Sequence, residues 1–171
     1  MEENLTFISS YGPRFDLPQV VDEIVRFMQA EPMRRYKVTI GTDSELLSGG
    51  RADFVSAIVV HRVGHGGRYF WRRQELAKFH TLRDRIIREV LISLDLAKIT
   101  LLSLKKMSSI AEGPGAALAP QWDFEIHADV GERGETRAVI QEVVGMIRAH
   151  NFEAIVKPGS YAATNVADRH V

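Results

Sequence analysis

A short β-branched stretch that ends in acidic side chains, residues 37–45, constrains the fold more than any other part of this sequence. Val38 and Ile40 lie on one face of a predicted strand, small or polar residues lie between them, and the run ends at Asp43. A carboxylate near the middle of a sheet is costly to bury unless a cation compensates its charge, and oxygen ligands of this kind suit Mg²⁺ or Mn²⁺. The alternative is that Asp43 stabilises a turn, because Asp-Ser ahead of a Gly-Gly pair is common in loops.

Composition places the chain among single-domain globular proteins and excludes several kinds of site. Its 171 residues suffice for one domain with a substantial core, and 45% of them are apolar. The chain has no cysteine, which excludes disulfides, a thiolate nucleophile and a cysteine zinc site. The acidic start lacks an apolar signal region and no apolar run is long enough to span a membrane, so we expect a cytoplasmic protein.

The formal net charge is zero, which argues against a dedicated non-specific nucleic-acid binder, but the charges are unevenly distributed. Arginine and lysine dominate between residues 61 and 88, whereas aspartate and glutamate dominate between residues 123 and 153. One interpretation is a basic surface that guides a phosphate backbone towards an acidic metal site. The alternative is two solvated faces of mixed charge.

The first half of the chain is predicted to form one helix and three strands. Residues before Asp16 show little pattern, and Asp16 with Pro18 starts a packing helix that continues to about residue 30. Hairpin connections then join the opening strand to strands at 54–62 and 68–76. The glycine-rich turn at 64–67 joins two strands and opens no helix, so a phosphate-binding role for it is a weak alternative.

The third strand interleaves aromatic residues with arginine. Tyr69, Trp71 and Arg73 share one face of this strand. Phe70 and Arg72 share the other face. Such a strand can stack on and pair with a nucleic acid, or it can have one face on the core and one in water.

A long helix, capped by Thr81 and continuing to about residue 105, follows the third strand. Its apolar stripe includes Leu82 and Ile86, and a rotation of about 100° per residue places Glu89 at the margin of that stripe. An acid in this position either forms a structural ion pair or belongs to a site.

The second half of the chain alternates strand and helix. A loop is predicted at 108–120, followed by a strand at 124–129 that again ends on an aspartate. A helix from Glu135 and a final strand at 152–157 complete the pattern. Early hairpins followed by alternating strands and helices indicate an α/β fold with a mixed sheet covered by helices.

Two predicted strands therefore end on an aspartate. If the first and fourth strands are parallel neighbours, Asp43 and Asp129 lie side by side at the edge where open α/β sheets bind ligands. Two bare carboxylates there repel each other, and one retains its proton unless the pair shares a cation. Glu89 on the long helix is placed to become a third ligand.

Four short motifs carry a resemblance to a known family. They are Ile40-Gly41-Thr42-Asp43-Ser44, Arg88-Glu89, His127-Ala128-Asp129-Val130-Gly131 and Val166-Ala167-Asp168-Arg169-His170. They resemble the ribonuclease H-like superfamily and, within it, the YkuK-like family of uncharacterised bacterial proteins. The resemblance implies a five-stranded mixed sheet, in which three antiparallel strands are followed by two added beside the first. It also implies an N-terminal arm and packing helix at 1–35 and a ribonuclease H-like domain at 36–171, within a single compact unit.

The resemblance further implies a carboxylate cluster that binds two Mg²⁺ or Mn²⁺ ions. Asp43 would bridge both ions, Glu89 would hold one, and Asp129 would hold the other or its water. Asp168 is the fourth candidate ligand, and its role requires that the tail be held in place. His170 is a candidate proton shuttle, with a solvated histidine as the alternative. The candidate nucleic-acid contacts are Arg72, Arg73, Arg83 and Arg85.

The implied activity is that of a metal-dependent nuclease acting on RNA or DNA, because two metal ions about 4 Å apart can activate water and stabilise the leaving oxygen. Two alternatives stay open. One is a catalytically silent nucleic-acid-binding protein of the same fold, and the other is a homo-oligomeric scaffold with the aromatic third strand as its interface. The related proofreading exonucleases fit poorly, because Ala163 and Thr164 stand where they have a histidine or tyrosine. Nothing in the sequence distinguishes RNA from DNA.

Overall fold

A mixed β-sheet forms the centre of the computed structural model, which describes residues 5–110 and 119–171. Its strands are β1 Thr6–Ser9, β2 Arg14–Asp16, β3 Arg35–Leu46, β4 Ala52–Arg62, β5 Gly67–Leu76, β6 Gln121–His127 and β7 Glu153–Ile155. The helices are α1 Leu17–Gln29, α2 Leu82–Ile110 and α3 Ile140–Ala149. The strand order is β2-β1-β5-β4-β3-β6-β7. β3 pairs with β6 and β6 with β7 in parallel, whereas the other neighbours are antiparallel.

The two faces of the sheet carry different layers. On one face the three helices pack against apolar strand residues such as Ile40 and Ile58 to form the main core. On the other face the intervening residues of β4, including Val55 and Ala57, pack against the C-terminal segment, which we define as residues 161–171. This alternation follows from the two-residue repeat of a strand, which turns successive side chains to opposite faces.

The N-terminal end of α1 is a capping box. The Asp16 carboxylate accepts the Gln19 backbone N–H, and the Gln19 side chain accepts the Asp16 backbone N–H, both at 2.9 Å. The two bonds satisfy donors that the first turn of a helix otherwise leaves free. The start predicted at Asp16 is confirmed, and the helix buries Val20 and Ile24 in the main core.

The predicted α/β class and the mixed sheet covered by helices are confirmed, but the predicted count of five strands is wrong. The five expected strands are β3 to β7, in the order that the family resemblance implies, and β1 and β2 extend the sheet beyond β5. The residues before Asp16 show little pattern in the sequence and were predicted to form an arm. Instead β1 pairs with β5 through Ile8 opposite Trp71, and Phe7 is fully buried.

Several element ends differ from the prediction. β3 continues through Asp43 to Leu46 because β4 pairs with it along its whole length. β6 ends at His127, so Asp129 follows the strand instead of ending it. α2 continues to Ile110, and the predicted loop at 108–120 otherwise lies mostly outside the described residues. The predicted helix from Glu135 begins as a 3₁₀ turn, Glu135–Val139, ahead of α3.

Within residues 5–110 and 119–171, the helices are too short or too polar to cross a membrane. The boundary between an arm at 1–35 and a domain at 36–171 stays a prediction. The pairing of β1 with β5 makes both parts members of one sheet.

Candidate functional site

The parallel pairing of β3 with β6 brings two aspartates together. The last paired residues are Gly41 and His127, and Asp43 and Asp129 each lie two residues beyond them. Because both positions have the same offset from the same register pair, the two residues reach the same edge of the sheet. The predicted parallel pairing of the first and fourth strands is confirmed.

Asp43 is half-buried on the face of the sheet that carries the C-terminal segment, since its partner across the ladder is Val55. Burial raises the pKa of Asp43 to about 6 against the lowering effect of the Ser44 backbone N–H, and the charges of Asp129 and Asp168 raise it further. Asp168, the predicted fourth ligand, therefore lies close to Asp43.

Glu89 is buried on α2, on the opposite face of β3 from Asp43. Ser44 Oγ donates to Glu89 Oε1 at 2.6 Å, and Arg85 Nη1 donates to the Ser44 carbonyl oxygen at 2.7 Å. Burial raises the pKa of Glu89 to about 8 against the lowering effect of the Ser44 hydrogen bond, and the charge of Asp43 contributes to the rise. Among the described residues its direct partner is a hydroxyl rather than a basic side chain, which does not match a simple structural ion pair.

Asp129 lies next to a positively charged side chain, that of Lys157. Its Oδ1 lies 2.9 Å from Lys157 Nζ, without the angle of a hydrogen bond, and this oxygen is buried. Gly131 makes the approach feasible, because a Cβ at that position would lie 3.1 Å from the Lys157 Cβ. Asp129 and Glu89 line the same narrow space between α2 and β6.

The four acids fit a divalent cation by chemistry but are not gathered around one point. Residues 5–110 and 119–171, as placed, contain no group of three or more His, Cys, Asp or Glu that could hold a metal ion. The reason is that Asp43 and Glu89 lie on opposite faces of β3. The donor set nevertheless consists of carboxylates, two of which have a raised pKa, and the buried Oδ1 of Asp129 lacks an aligned hydrogen bond. Carboxylate oxygens are the ligands that Mg²⁺ and Mn²⁺ prefer.

A polar network lies beside these acids, on the same face of the sheet as Asp43. Lys37 Nζ contacts Glu125 Oε1 at 2.7 Å, and His127 Nε2 lies 3.1 Å from Glu125 Oε2. Burial alone would raise the pKa of Glu125, but the hydrogen bonds from Lys37 and His127 lower it. Burial lowers the pKa of His127. The network therefore contains an ionised Glu125 between a cation and a neutral imidazole.

The position of His170 does not match the prediction of a proton shuttle or of a solvated side chain. Its ring stacks on Trp71 with the centroids 4.0 Å apart and the planes at 5°. Its carbonyl oxygen accepts a hydrogen bond from Arg73, and its Nε2 is buried without a hydrogen-bond partner. His170 thus fixes the C-terminal segment on the outer face of β5.

The four candidate arginines are engaged in different ways. Arg85 bonds to Ser44, as described above, next to the acids. Arg83 forms a bidentate ion pair with Glu142 of α3, in which Nη2 donates to Oε1 at 2.6 Å and Nε donates to Oε2 at 3.2 Å. Arg73 pairs with Asp53 at 3.2 Å. Arg72 lines a groove of about 350 Å³ together with Arg73 and Trp71. Arg85 therefore contacts a residue that bonds to one of the acids, Glu89.

Sequence reasoning gave no role to Lys157 or Ser44. Lys157 follows β7 and its N–H donates to the Val130 carbonyl oxygen at 2.9 Å, so the parallel continuation of β6 and β7 places it beside Asp129. Aligning the predicted final strand with its parallel neighbour would have found this contact. Ser44 ends the motif Ile40-Gly41-Thr42-Asp43-Ser44, but its bond to Glu89 depends on how α2 packs on β3.

Comparisons with known proteins agree with this topology. A family model described as Ribonuclease H-like matches residues 19–171. The chain is also similar to the uncharacterised protein YkuK of Bacillus subtilis strain 168, with 29% identity over 174 residues that cover 99% of this chain and 98% of that protein. No solved structure matches the chain significantly.

Proposed function

We propose that this chain, which belongs to the ribonuclease H-like family, hydrolyses phosphodiester bonds in RNA or DNA with the help of divalent cations. The observation that carries the proposal is the mutual influence of four acids from β3, α2, the end of β6 and the C-terminal segment. The charges of Asp129 and Asp168 raise the pKa of Asp43, and those of Asp43 and Asp129 raise the pKa of Glu89, in each case after burial. Perturbed carboxylates of this kind are typical of functional sites.

In this proposal Asp43, Glu89, Asp129 and Asp168 would hold two Mg²⁺ or Mn²⁺ ions. Such ions supply Lewis acidity to a phosphodiester and its attacking water. The ionised carboxylates would be more favourable with cations present than without them, because repulsion and burial now favour the protonated forms. No other side chain in the proposal needs to act as a nucleophile.

The surrounding residues orient and neutralise the acids. Arg85 fixes the Ser44 backbone, and the Ser44 hydroxyl fixes one oxygen of Glu89. Lys157 supplies a positive charge to Asp129 and is half-exposed, so it can turn towards solvent when a cation takes its place. These contacts hold the acids in place before any ligand arrives.

Nucleic acid is the proposed partner, and the candidate arginines are the proposed backbone contacts. Arg85 is nearest to the acids, whereas Arg83 and Arg73 would have to leave Glu142 and Asp53 to reach a phosphate. Contacts of this kind predict an affinity that decreases steeply with salt concentration. The absence of cysteine keeps the cytoplasm as the predicted compartment.

Cleavage of labelled single strands, duplexes and RNA–DNA hybrids, with Mg²⁺ or Mn²⁺, tests the proposal. The wild type is compared with Asp43→Asn and with Asp95→Asn, an exposed acid on α2 that serves as a matched control. We expect Asp43→Asn to lose more than the roughly 10- to 100-fold that outer partners of metal ligands cost, and Asp95→Asn to lose nothing. Equal activity of all three proteins would contradict the proposal.

A catalytically silent nucleic-acid-binding protein is the second candidate. Two observations favour this candidate. Lys157 already forms an ion pair with Asp129, and Asp43 and Glu89 lie on opposite faces of β3. Calorimetric titration of the protein with Mn²⁺ near neutral pH separates the two candidates. Binding that Asp43→Asn abolishes supports the hydrolase, and no binding supports the silent protein.

The third alternative, a homo-oligomer that associates through the aromatic face of β5, finds no support here. Trp71 and Tyr69 on that face contact His170 of the same chain, and both pack against the C-terminal segment. A second copy would have to displace that segment before it could use this face.

A further inference from the structure

The C-terminal segment brings an acid to the site without being part of the sheet. It consists of one π-helical turn, Ala162–Ala167, and one 3₁₀ turn, Asp168–His170. Its apolar contacts with β4 are non-directional, so they hold the segment to the sheet without fixing its register, and at its far end the His170 carbonyl oxygen accepts a hydrogen bond from Arg73. The charge of Asp168 raises the pKa of Asp43, and this closeness of the two side chains needs the register of the segment to be fixed.

One directional contact joins the start of the segment to the end of β6. The Ala162 N–H donates to His127 Nδ1 at 3.2 Å, and both residues are almost completely buried. His127 lies two residues before Asp129, so the strand end that supplies one acid also holds the segment that supplies another. The bond therefore links the positions of two acids that are far apart in the chain.

The orientation of the His127 ring is set from its other side. His127 Nε2 contacts Glu125 Oε2 at 3.1 Å, and Glu125 Oε1 contacts Lys37 Nζ at 2.7 Å. A carboxylate accepts only, so Nε2 must carry the proton and Nδ1 is left as the acceptor that the Ala162 N–H needs. Lys37, Glu125 and His127 thus form a chain of contacts that ends on the backbone of the C-terminal segment.

The residue before Ala162 packs on the same histidine. The Tyr161 ring meets the His127 ring edge to face, with the centroids 4.5 Å apart and the planes at 84°. The Tyr161 ring also lies near the ring of His61 on β4, with the ring centroids 5.9 Å apart. Two consecutive residues of the segment are therefore held by His127, one through its side chain and one through its backbone.

We propose that His127 is a positioning residue that holds the C-terminal segment in register and thereby places Asp168 against Asp43. The inference deepens the proposed function, and it depends on that function only for the role of Asp168 as a ligand. The anchoring itself is a structural claim that can be tested without any metal or substrate.

The first test uses the wild-type protein and NMR of its imidazole nitrogens. We expect His127 to give an unprotonated, hydrogen-bonded Nδ1 coupled to the Ala162 amide, and a protonated Nε2. The opposite tautomer would overturn the proposal, because Nδ1 could not then accept the Ala162 N–H. This measurement does not depend on whether any variant folds.

The second test compares His127→Phe with His127→Asn by hydrogen exchange. Phenylalanine removes the acceptor, whereas the Asn side-chain oxygen offers one near the place of Nδ1. We expect the amides of Ala162 and Val166 to exchange roughly 10-fold faster in His127→Phe, in line with the loss of one buried hydrogen bond, and to recover in His127→Asn. His61→Asn, on the other side of Tyr161, is the matched control and should leave these rates unchanged.

Exchange of core amides separates anchoring from a general loss of stability. The amides of Val38 and Val60, which lie in the main core, should keep their rates in His127→Phe. Unchanged exchange at Ala162, or the same acceleration at Ala162 and in the core, would overturn the proposal.

A double-mutant cycle with Mn²⁺ connects the anchor to the site. If His127 acts through Asp168, His127→Phe should weaken Mn²⁺ binding in the wild-type background and have no further effect in Asp168→Asn. Additive losses would contradict the positioning role. If Asp168→Asn alone leaves Mn²⁺ affinity unchanged, the ligand role in the proposed function is wrong, while the exchange data still decide the anchoring.

Discussion

Replacing Glu89 by glutamine should stabilise the metal-free protein, and the gain should grow as the pH rises. Glu89 is buried, its pKa is raised from the ordinary value of 4.5 to about 8 chiefly by burial, and its partner Ser44 donates to Oε1. Between these two pH values the folded protein retains the Glu89 proton, whereas the unfolded chain has lost it. Stability therefore falls as the pH rises through this window. Glutamine keeps the acceptor for Ser44 and cannot ionise.

The magnitude follows from the width of the window. One pKa unit corresponds to about 1.4 kcal/mol. From pH 6 to pH 8 the folded state still holds most of the Glu89 proton, which lowers the free energy of unfolding of the wild type by about 2 kcal/mol relative to Glu89→Gln. The range above pH 6 is chosen because Asp43, whose pKa is about 6, contributes mainly below it.

Urea unfolding in the presence of a chelator at pH 6, 7 and 8 measures this difference. With an m-value of about 2 kcal/mol per molar, the difference in urea midpoint between Glu89→Gln and the wild type should increase by about 1 M from pH 6 to pH 8. Asp95→Asn, an exposed acid on the same helix, should show no such trend. A constant difference between wild type and Glu89→Gln across this range would refute the argument that a buried, protonated Glu89 is present.

Three other substitutions test neighbouring contacts. Lys157→Met removes the positive charge next to Asp129. Because the lysine is half-exposed, we expect calorimetry to show Mn²⁺ binding about 2- to 5-fold tighter. Weaker binding would contradict the role of Lys157 as a replaceable counter-ion. Arg85→Gln should weaken Mn²⁺ binding about 10-fold, because it removes the hydrogen bond that holds Ser44 and, through Ser44, Glu89. Arg83→Gln is the control and should leave Mn²⁺ binding unchanged. Equal effects of the two substitutions would count against the Arg85–Ser44 link. Trp71→Ala should accelerate amide exchange at His170 by removing the stacked ring, and an unchanged rate would show that the stack does not hold the segment.

The sequence predicted the parts of the fold that repeat with a clear period. The alternation at Val38 and Ile40 and the two strands that run into Asp43 and Asp129 were enough to infer parallel neighbours and a shared edge. The capping signal at Asp16 located α1, because a side chain that caps a helix acts on residues close in sequence.

The missed features depend on contacts between distant residues. β1 and β2 have only four and three residues, too few for a periodic pattern, and β1 is specified by its pairing with β5. Arg83 was predicted to contact nucleic acid, but its partner Glu142 is 59 residues away, so no local pattern could reveal their ion pair. The stacking of His170 on Trp71 is equally remote in sequence.

The candidate site was predicted as a set of acids but not as an arrangement. Strand ends pointed to Asp43 and Asp129, helix periodicity pointed to Glu89, and the family resemblance added Asp168. That Glu89 and Asp43 lie on opposite faces of β3 follows from the bond between Ser44 and Glu89, which depends on the packing of α2. Lys157 contacts Asp129, and a side chain at position 131 would crowd the Lys157 Cβ.

An anomalous difference map from crystals grown with Mn²⁺ tests the central claim most directly. We expect manganese bound between Asp43 and Asp129, with the Lys157 ammonium displaced from Asp129, and no manganese there in Asp43→Asn. Crystals of the wild type that bind no manganese at this edge of the sheet, or that bind it only elsewhere, would contradict it.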